Sequence, residues 1–261
     1  MAIDPGFWNG RRVFLTGHSG FKGTWLAAWL VEMGADVTGY SLAPRLNPSL
    51  YAMAGLDRRT RGLTGDIRER HTLAAAMRLS DPEVIFHLAA QPYVRSGLRD
   101  PRGTFETNVM GTVNLLDVAR SMPSLKAIVT VTSDKCYERT SKPCRERDPL
   151  GGAEPYGASK AACEHVISAY RNCFFATTGQ VGLASARAGN VIGGGDFGPH
   201  RLLPDIIRAV AASKPVVLRH PDSVRPWQHV LDALSGYLEL TEALFKDPKQ
   251  FGDSYNFGPP N

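Results

Sequence analysis

Blocks of apolar and polar residues alternate regularly along the first 190 residues of the chain. Short apolar runs predict strands at residues 12–16, 36–40, 61–64, 84–88, 127–132 and 181–187. Between these runs, apolar residues recur with the spacing of a helical face at 21–33, 71–79, 104–119 and 156–174. Glycine or proline closes several blocks, as at Gly34 and Pro82.

Apolar strands that alternate with helices are typical of a parallel sheet covered by helices on both faces. The pattern therefore predicts an α/β protein with a doubly wound parallel sheet, the Rossmann architecture. After about residue 189 the rhythm changes, with a helix predicted at 202–212, a short strand at 216–218 and a helix at 231–245. We expect a Rossmann domain at 1–188 and a smaller lobe at 189–261, partly interleaved with it.

Composition narrows the class of protein. The chain is 43% hydrophobic and 21% charged, which is ordinary for a globular protein, and it contains neither a signal-peptide pattern nor ~18 uninterrupted apolar residues. Its cysteines form no CxxC pair, so we expect reduced thiols, a cytoplasmic location and no metal site. The net charge of +5 comes from dispersed arginines, which favours an anionic small molecule over nucleic acid as partner.

The loop after the first predicted strand carries three glycines in a GxxGxxG pattern, directly before a helix. The first glycine permits a sharp turn, the second lets the backbone approach a pyrophosphate, and the third lets the helix pack on the sheet. A simple connecting turn would also need glycine, but the strand–turn–helix context favours a dinucleotide site. Its predicted contacts are Gly17, Ser19, Gly20, Phe21, Lys22 and Gly23. His18 is either a pocket residue or a loop filler.

The sequence signal for the adenosine end of this dinucleotide site is weaker. The second strand ends near Ser41 without an acid for the adenosine ribose, and Arg45 nearby could take a 2′-phosphate. These residues alone leave NAD and NADP open. Asp66 and Ile67 follow the third strand and form a candidate adenine contact, although Asp66 could equally cap the following helix.

A candidate catalytic pair opens the helix predicted at 156–174. Tyr156 and Lys160 are four residues apart and share one helical face. A nearby ammonium would lower the pKa of the tyrosine from its usual ~10, so that it could take a proton from a hydroxyl while a hydride leaves. An exposed Tyr/Lys pair would be the ordinary interpretation in isolation. However, Ser133 lies at the end of a predicted strand, the edge where ligands bind in doubly wound sheets.

The glycine loop, the strand-end Ser133 and the Tyr156-x-x-x-Lys160 motif together resemble the extended short-chain dehydrogenase/reductase family. The resemblance implies NAD as cofactor. It also implies that Ser133 hydrogen-bonds the reacting oxygen, that Tyr156 is the base and that Lys160 holds the ribose and tunes Tyr156. Other residues at positions where the family lines its cofactor site are Leu88, Ala89, Ala90, Asn108 and Thr132. A homodimer formed through the helices at 104–119 and 156–174 is implied as well, although these faces could equally pack within the subunit.

Asp134 and Lys135 distinguish the branches of this family. A nucleotide-sugar 4-epimerase needs no further acid and base beside its serine, whereas a 4,6-dehydratase must remove the C5 proton and protonate the leaving C6 hydroxyl. Dehydratases of the family commonly carry Asp-Glu at this place, and Asp-Lys resembles the CDP-glucose branch. The implied reaction converts CDP-glucose to CDP-4-keto-6-deoxyglucose, with Asp134 as the acid and Lys135 in place of the glutamate base. A 4-epimerase and a non-catalytic dinucleotide-binding protein are the alternatives.

The resemblance to the CDP-glucose branch covers nearly the whole chain, including segments 91–94, 188–190 and 225–229. It implies a nucleotide-sugar substrate bound by Gln91, Tyr93, Ser133, Asn190, Arg201 and Arg225. Arg225 is followed by a proline-stiffened turn and could reach a diphosphate in bidentate fashion. A surface or loop-stabilising role remains the alternative for Asn190 and both arginines, and a buried aromatic for Tyr93. The resemblance also implies a longer C-terminal part that completes the substrate lobe.

Overall fold

The computed structural model describes residues 3–44, 49–138, 140, 142–218 and 221–259. Its strands are β1 Arg12–Thr16, β2 Asp36–Ser41, β3 Arg61–Thr64, β4 Val84–His87, β5 Ala127–Val131, β6 Gly182–Ala188, β7 Val191–Ile192, β8 Gln228–His229 and β9 Ser254–Phe257. Seven strands form one parallel sheet in the order β3-β2-β1-β4-β5-β6-β9, and β7 pairs with β8 separately. The predicted doubly wound parallel sheet is confirmed.

Helices connect these strands and cover both faces of the sheet. They are α1 Pro5–Trp8, α2 Phe21–Glu32, α3 Leu50–Met53, α4 Arg70–Ser80, α5 Val94–Arg99, α6 Pro101–Phe105, α7 Gly111–Ala119, α8 Pro155–Tyr170, α9 Ala176–Thr178, α10 Leu202–Ala211, α11 Val230–Lys246 and α12 Pro248–Phe251. Short 3₁₀ turns occupy Leu56–Arg58 and Asp134–Cys136, and π-helical turns occupy Glu106–Met110 and Arg171–Phe175. None of the helices in the described ranges is long and apolar enough to cross a bilayer.

Two hydrophobic cores lie on opposite faces of the main sheet. Val13 and Leu15 of β1 belong to the core under α2 and α11, whereas Phe14 between them belongs to the core under α4, α7 and α8. Successive residues of a strand point to opposite faces, so a strand buried on both sides needs apolar residues at every position. This explains why β1 reads as a continuous apolar run.

The order of the strands places a crevice between β1 and β4. From β1 the chain first builds outward through β2 and β3, and later returns to add β4 on the other side. Thr16 at the end of β1 is paired with Tyr40 of β2 and His87 of β4, so the carboxyl ends of the three strands share one edge. Ligands bind at such a switch point in open α/β sheets.

The C-terminal part of the chain contributes a strand to the main sheet and a helix that packs on it. Helix α11 packs on β5 and β6, and β9 lies beside β6 with Ser254 next to Ser185. Elements after residue 188 therefore contribute to the main sheet and its helices, and the division into domains at residue 188 stays a prediction. The strand predicted at 216–218 is wrong, because no described strand pairs with this segment and Val217 is 80% exposed.

Candidate active site and nucleotide-binding loop

The loop between β1 and α2 is shaped by its glycines. Gly17 has φ +74°, and its N–H donates to the Tyr40 carbonyl over 2.8 Å. A methyl group at Gly17 would lie 2.8 Å from the backbone nitrogen of Ala89, and one at Gly23 would overlap the Gly17 carbonyl. Larger residues would therefore push the loop away from the ends of β1 and β4. This is the tight strand–turn–helix that the glycine spacing predicts.

The start of α2 remains available to an anion. Its N-cap, Gly20, makes no capping side-chain bond, so the first N–H groups of the helix are free to bind phosphate oxygens. Phe21 opens the helix against Gly193, and Ser19 within the loop has its Oγ 2.8 Å from Ser41 Oγ. These features fit a dinucleotide pyrophosphate.

His18, within this loop, points its side chain into the protein interior. It is 5% exposed, its ring meets Tyr51 edge-on at 4.9 Å, and a side chain on Gly39 would overlap it. Burial lowers the pKa of His18 to about 4, so the imidazole is neutral at physiological pH. Of the two interpretations open from the sequence, the structure favours the loop filler.

The predicted adenine contacts are partly engaged with the protein. The Asp66 carboxylate accepts from Arg68 Nη2 at 2.6 Å and from Arg68 N at 2.9 Å, which shapes the turn before α4. Ile67 is 4% exposed, its side chain packs against Gly111, and its carbonyl accepts from Asn114 Nδ2 at 3.0 Å. Arg45 lies outside the described residues. Adenine contacts by Asp66 and Ile67 stay predictions.

The turn after β4 is braced by side-chain amides. Leu88, Ala89 and Ala90 are half-buried there, as expected for cofactor-lining residues. Both ends of the Gln91 amide are used locally, since Nε2 donates to Thr104 Oγ1 at 2.9 Å and Oε1 accepts from Tyr93 N at 2.6 Å.

Asn108 holds the same turn from the π-helical segment that the sequence did not predict. It is 1% exposed, its Oδ1 accepts from Gln91 N at 2.7 Å, and its Nδ2 donates to Ser159 Oγ at 2.8 Å. Gln91 and Asn108 were expected to contact substrate and cofactor, respectively. Because their polar atoms are taken by protein partners, the structure favours a supporting role for both.

Tyr156 and Lys160 occupy the first turns of α8. Pro155 begins the helix, and the Glu154 carboxylate caps it by accepting from Tyr156 N at 2.8 Å and Gly157 N at 2.9 Å. Tyr156 and Lys160 are 8% and 5% exposed. The cap and the packing therefore fix the position of the tyrosine.

The expectation of a lowered Tyr156 pKa is wrong for this structure. Burial raises the pKa of Tyr156 to about 12, because desolvation outweighs the hydrogen bond with Ser133 and the charge of Arg201, which both act to lower it. Lys160 does not contribute in the expected way, since its Nζ donates to the Val131 carbonyl at 3.1 Å. Burial also lowers the pKa of Lys160.

Ser133, Asp134 and Lys135 form a short turn between β5 and α8. Ser133 Oγ donates to Asp134 Oδ1 at 3.1 Å and accepts from Lys135 N at 3.2 Å. Asp134 and Lys135 are half-buried. The turn packs directly on α8, since a methyl group at Gly157 would lie 2.8 Å from the Lys135 carbonyl. The five predicted catalytic residues are therefore brought together.

Two further residues enter this cluster. The Lys22 ammonium, expected at the cofactor, lies 3.4 Å from the hydroxyl of Tyr237 on α11. Burial, followed by the charges of Lys160 and Arg201, lowers the pKa of Lys22 to about 8. Tyr237 is fully buried, and burial followed by the proximity of Tyr156 raises its pKa. Sequence reasoning missed Tyr237 because its spacing on α11 is that of any core aromatic.

Arg201 faces the catalytic cluster from the smaller lobe. Its guanidinium pairs with Asp196 Oδ2 at 2.9 Å and lies 5.5 Å from the ring centroid of Tyr93. Its charge lowers the pKa values of both Tyr156 and Lys22, which places it near the reacting groups. This ion pair with Asp196 orients the arginine.

Asn190 and Arg225 lie at the carboxyl end of β6. The Asn190 carbonyl accepts from Gln228 N at 3.1 Å, and Pro226 packs on Gly189, which brings the exposed Arg225 to this edge. Their contacts with a diphosphate stay predictions.

Thr132 requires a correction. It was expected to line the cofactor, but its hydroxyl donates to the Glu164 carboxylate and its N–H donates to the Ala186 carbonyl at 2.9 Å. Only its carbonyl is left for a cofactor. Within the described ranges, no group of three or more His, Cys, Asp or Glu side chains could hold a metal ion.

Comparison with known proteins agrees with this geometry. The profile of the "NAD dependent epimerase/dehydratase family" matches residues 13–258. The CDP-glucose 4,6-dehydratase of Salmonella typhimurium strain LT2 is 48% identical over 263 residues, which cover 98% of this chain and 73% of that protein. UDP-glucose 4-epimerase 3 of Oryza sativa subsp. japonica is 27% identical, over 95% of this chain and 72% of that protein.

A solved structure of a related enzyme has the same fold. The dTDP-glucose 4,6-dehydratase DesIV from Streptomyces venezuelae, with NAD and TYD bound, superposes with a TM-score of 0.82 and 26% identity. The match covers 96% of this chain and 76% of that one. The chain therefore belongs to the NAD dependent epimerase/dehydratase family, the extended short-chain dehydrogenases/reductases that its motifs resemble.

Proposed function

We propose that this protein is an NAD-dependent 4,6-dehydratase that converts CDP-glucose to CDP-4-keto-6-deoxyglucose. The observation that carries the proposal is the Ser133-Asp134-Lys135 turn packed on the helix of Tyr156 and Lys160. It supplies an acid/base pair beside the oxidation site, which an epimerase does not need. The 48% identity to a CDP-glucose 4,6-dehydratase supports the same reaction and the same nucleotide.

The first step is oxidation at C4 of the sugar. Tyr156 takes the proton of the C4 hydroxyl, and Ser133 hydrogen-bonds the same oxygen. NAD, held by the loop between β1 and α2, would supply the acceptor for the C4 hydride and the donor of that hydride to C6. Arg201 and Ser133 favour the phenolate because both lower the pKa of Tyr156 against the larger effect of burial.

The second step is loss of water across C5 and C6. Oxidation at C4 makes the C5 proton acidic, so that Lys135 can remove it in its neutral amine form. Asp134 protonates the leaving C6 hydroxyl, and its hydrogen bond with Ser133 orients the carboxyl group toward the same sugar. Addition of the hydride at C6, together with return of a proton from Lys135 to C5, would saturate the C5–C6 bond, so that the reaction has no net redox change.

The nucleotide-sugar diphosphate binds between the two parts of the chain. Arg201 is held by Asp196 beside Tyr93, and Arg225 and Asn190 lie at the end of β6. An Arg fork matches a phosphate in bidentate geometry, and the net charge of +5 favours an anionic ligand.

The direct test is proton NMR of the purified protein with NAD and CDP-glucose, with dTDP-, UDP- and GDP-glucose in parallel. We expect a new C6 methyl signal with CDP-glucose and no accumulation of NADH. A changed C4 proton without a methyl signal would indicate a 4-epimerase. Unaltered sugars with NAD bound would indicate a non-catalytic dinucleotide-binding protein.

We further propose that the protein is a homodimer formed through α7, α8 and the adjoining π-helical turns. Met110 is 50% exposed and Phe174 is 38% exposed, so apolar surface lies next to both helices. Light scattering after gel filtration should give twice the chain mass. Met110→Lys with Phe174→Lys should give the monomer. The cytoplasmic location expected from the cysteines stays a prediction.

A further inference from the structure

A buried ion pair lies directly behind the catalytic turn. Glu164 Oε2 and Arg187 Nη2 are 2.6 Å apart, and their side chains are 1% and 5% exposed. Glu164 is on α8, four residues after Lys160 and eight after Tyr156, and Arg187 is on β6. Taking two charges out of water is costly, so such a pair is weak support for stability alone.

The two members of this pair hold the two ends of one segment. Thr132, immediately before Ser133, donates its hydroxyl to Glu164 Oε1. Tyr137, immediately after the 3₁₀ turn Asp134–Cys136, accepts from Arg187 Nη1 through its hydroxyl at 2.8 Å. The segment between these anchors carries Ser133, Asp134 and Lys135.

We propose that Glu164 and Arg187 are positioning residues, which hold the segment 133–136 in register with the α8 face that carries Tyr156 and Lys160. The inference rests on the proposed dehydratase reaction for its kinetic consequences, whereas the structural clamp itself does not depend on the substrate.

Backbone bonds from Thr132 N to the Ala186 carbonyl at 2.9 Å and from Gly151 N to the Cys136 carbonyl at 2.8 Å anchor the ends of this segment, but neither bond reaches α8. The turn's internal hydrogen bonds are longer. Cys136 N donates to the Ser133 carbonyl at 3.2 Å, and Tyr137 N donates to the Asp134 carbonyl at 3.4 Å. These bonds shape the turn but do not tie it to α8. Since Glu164 and Tyr156 share α8, a bond to Glu164 fixes the acid/base residues relative to the oxidising tyrosine. Misplacement by about 1 Å can cost roughly a hundredfold in rate.

The same carboxylate supplies matched controls. Glu164 Oε2 also accepts from Ser185 Oγ at 2.8 Å and from Ser254 Oγ at 3.2 Å. Neither serine adjoins the catalytic turn, since Ser185 is on β6 and Ser254 is on β9. Removing either hydroxyl takes a hydrogen bond from Glu164 without releasing the segment.

The experiment compares Thr132→Val and Tyr137→Phe with Ser185→Ala and Ser254→Ala in the full chain. Replacing Glu164 itself would leave a buried charge on Arg187 and threaten folding, so the hydroxyl variants are preferable. For Thr132→Val and Tyr137→Phe we expect kcat on CDP-glucose to fall roughly tenfold or more, with KM and NAD affinity changed much less. The serine variants should keep kcat within about twofold of the wild type. Their thermal unfolding midpoints should fall by about as much as those of Thr132→Val and Tyr137→Phe.

A second measurement needs no substrate. In hydrogen exchange followed by mass spectrometry, peptides covering 133–138 should exchange faster in Thr132→Val and Tyr137→Phe than in the serine variants. Equal exchange and equal kcat across all four variants would overturn the inference and leave the pair a core contact only. If the wild type binds NAD but leaves CDP-glucose unchanged, the proposed reaction fails, and the exchange comparison still decides whether the clamp exists.

Discussion

The dinucleotide loop and the catalytic cluster are built by opposite means. The loop is a backbone structure within seven residues, and its shape follows from Gly17 at φ +74° and the tight contact of Gly23 with the Gly17 carbonyl. Its predicted binding groups are the N–H groups at the start of α2. Such a site is visible in the sequence, because each requirement falls on a glycine at a fixed spacing.

The catalytic cluster is instead a set of side chains from distant elements. Lys22 comes from α2, Ser133 from the end of β5, Tyr156 from α8, Arg201 from the start of α10 and Tyr237 from α11. Only the fold brings them together, and burial shifts the pKa values of Lys22, Tyr156 and Tyr237. This difference predicts that the loop tolerates changes of side chain better than changes of backbone conformation, and that the catalytic cluster responds in the reverse way.

The largest effect should come from the cluster. Tyr156→Phe removes the proton acceptor for C4 oxidation but keeps the buried ring, so turnover should fall by at least roughly a thousandfold while NAD affinity stays near that of the wild type. Methyl formation by NMR and NAD binding by calorimetry check the two parts. Turnover at the wild-type rate would remove Tyr156 from the mechanism.

Asp134→Asn should separate the two chemical steps. The amide oxygen can still accept from Ser133, but it cannot deliver a proton to the leaving C6 hydroxyl. We expect NADH to accumulate at 340 nm with CDP-glucose, and methyl formation to slow by roughly a hundredfold or more. Product release at the wild-type rate would show that Asp134 is not the acid.

The sequence alone predicts the fold and the catalytic motif residues, but not the electrostatics of the site. The doubly wound sheet and most element bounds were predictable because buried strands and helices have characteristic periods. Tyr156, Lys160 and Ser133 were predictable because their spacing matches known motifs. The raised pKa of Tyr156 was not, since it depends on burial among α8, β5 and α11 rather than on its neighbour four residues away.

Other residues carry no local signal at all. Glu164 and Arg187 look like ordinary charged positions on a helix and a strand, and only the fold makes them a buried pair. The π-helical turn around Asn108 likewise could not be predicted from the hydrophobic pattern. What the sequence lacks in each case is the partner, which lies many residues away.

The loop offers a matched pair of glycines for the third prediction. Gly17 and Gly10 have nearly the same φ, +74° and +72°, but a methyl group meets Ala89 only at Gly17, and nothing lies within 4 Å at Gly10. Both alanine variants should lose about 1 kcal/mol of stability from backbone strain, and Gly17→Ala should lose more because its methyl group meets Ala89. Only Gly17→Ala should weaken NAD binding, by roughly tenfold, in calorimetric titration. Equal NAD affinities would mean that the loop does not form the site.

The smallest predicted effect is a pH-dependent change in stability at Lys22, which belongs to the dinucleotide loop and also contacts the catalytic cluster. Its folded-state pKa of about 8 lies below the usual lysine value because burial penalises the ammonium. Between pH 8 and 10.5 the unfolded chain therefore binds more protons at this residue, and stability rises with pH in that window. Because Lys22 is only half-buried, solvent limits the change to about 1 kcal/mol. Urea unfolding of wild type and Lys22→Met at pH 7 and pH 10 should show the wild type gaining that much relative to the variant. A constant difference across this range would mean that Lys22 keeps an ordinary pKa and that its ammonium is not enclosed with the catalytic residues.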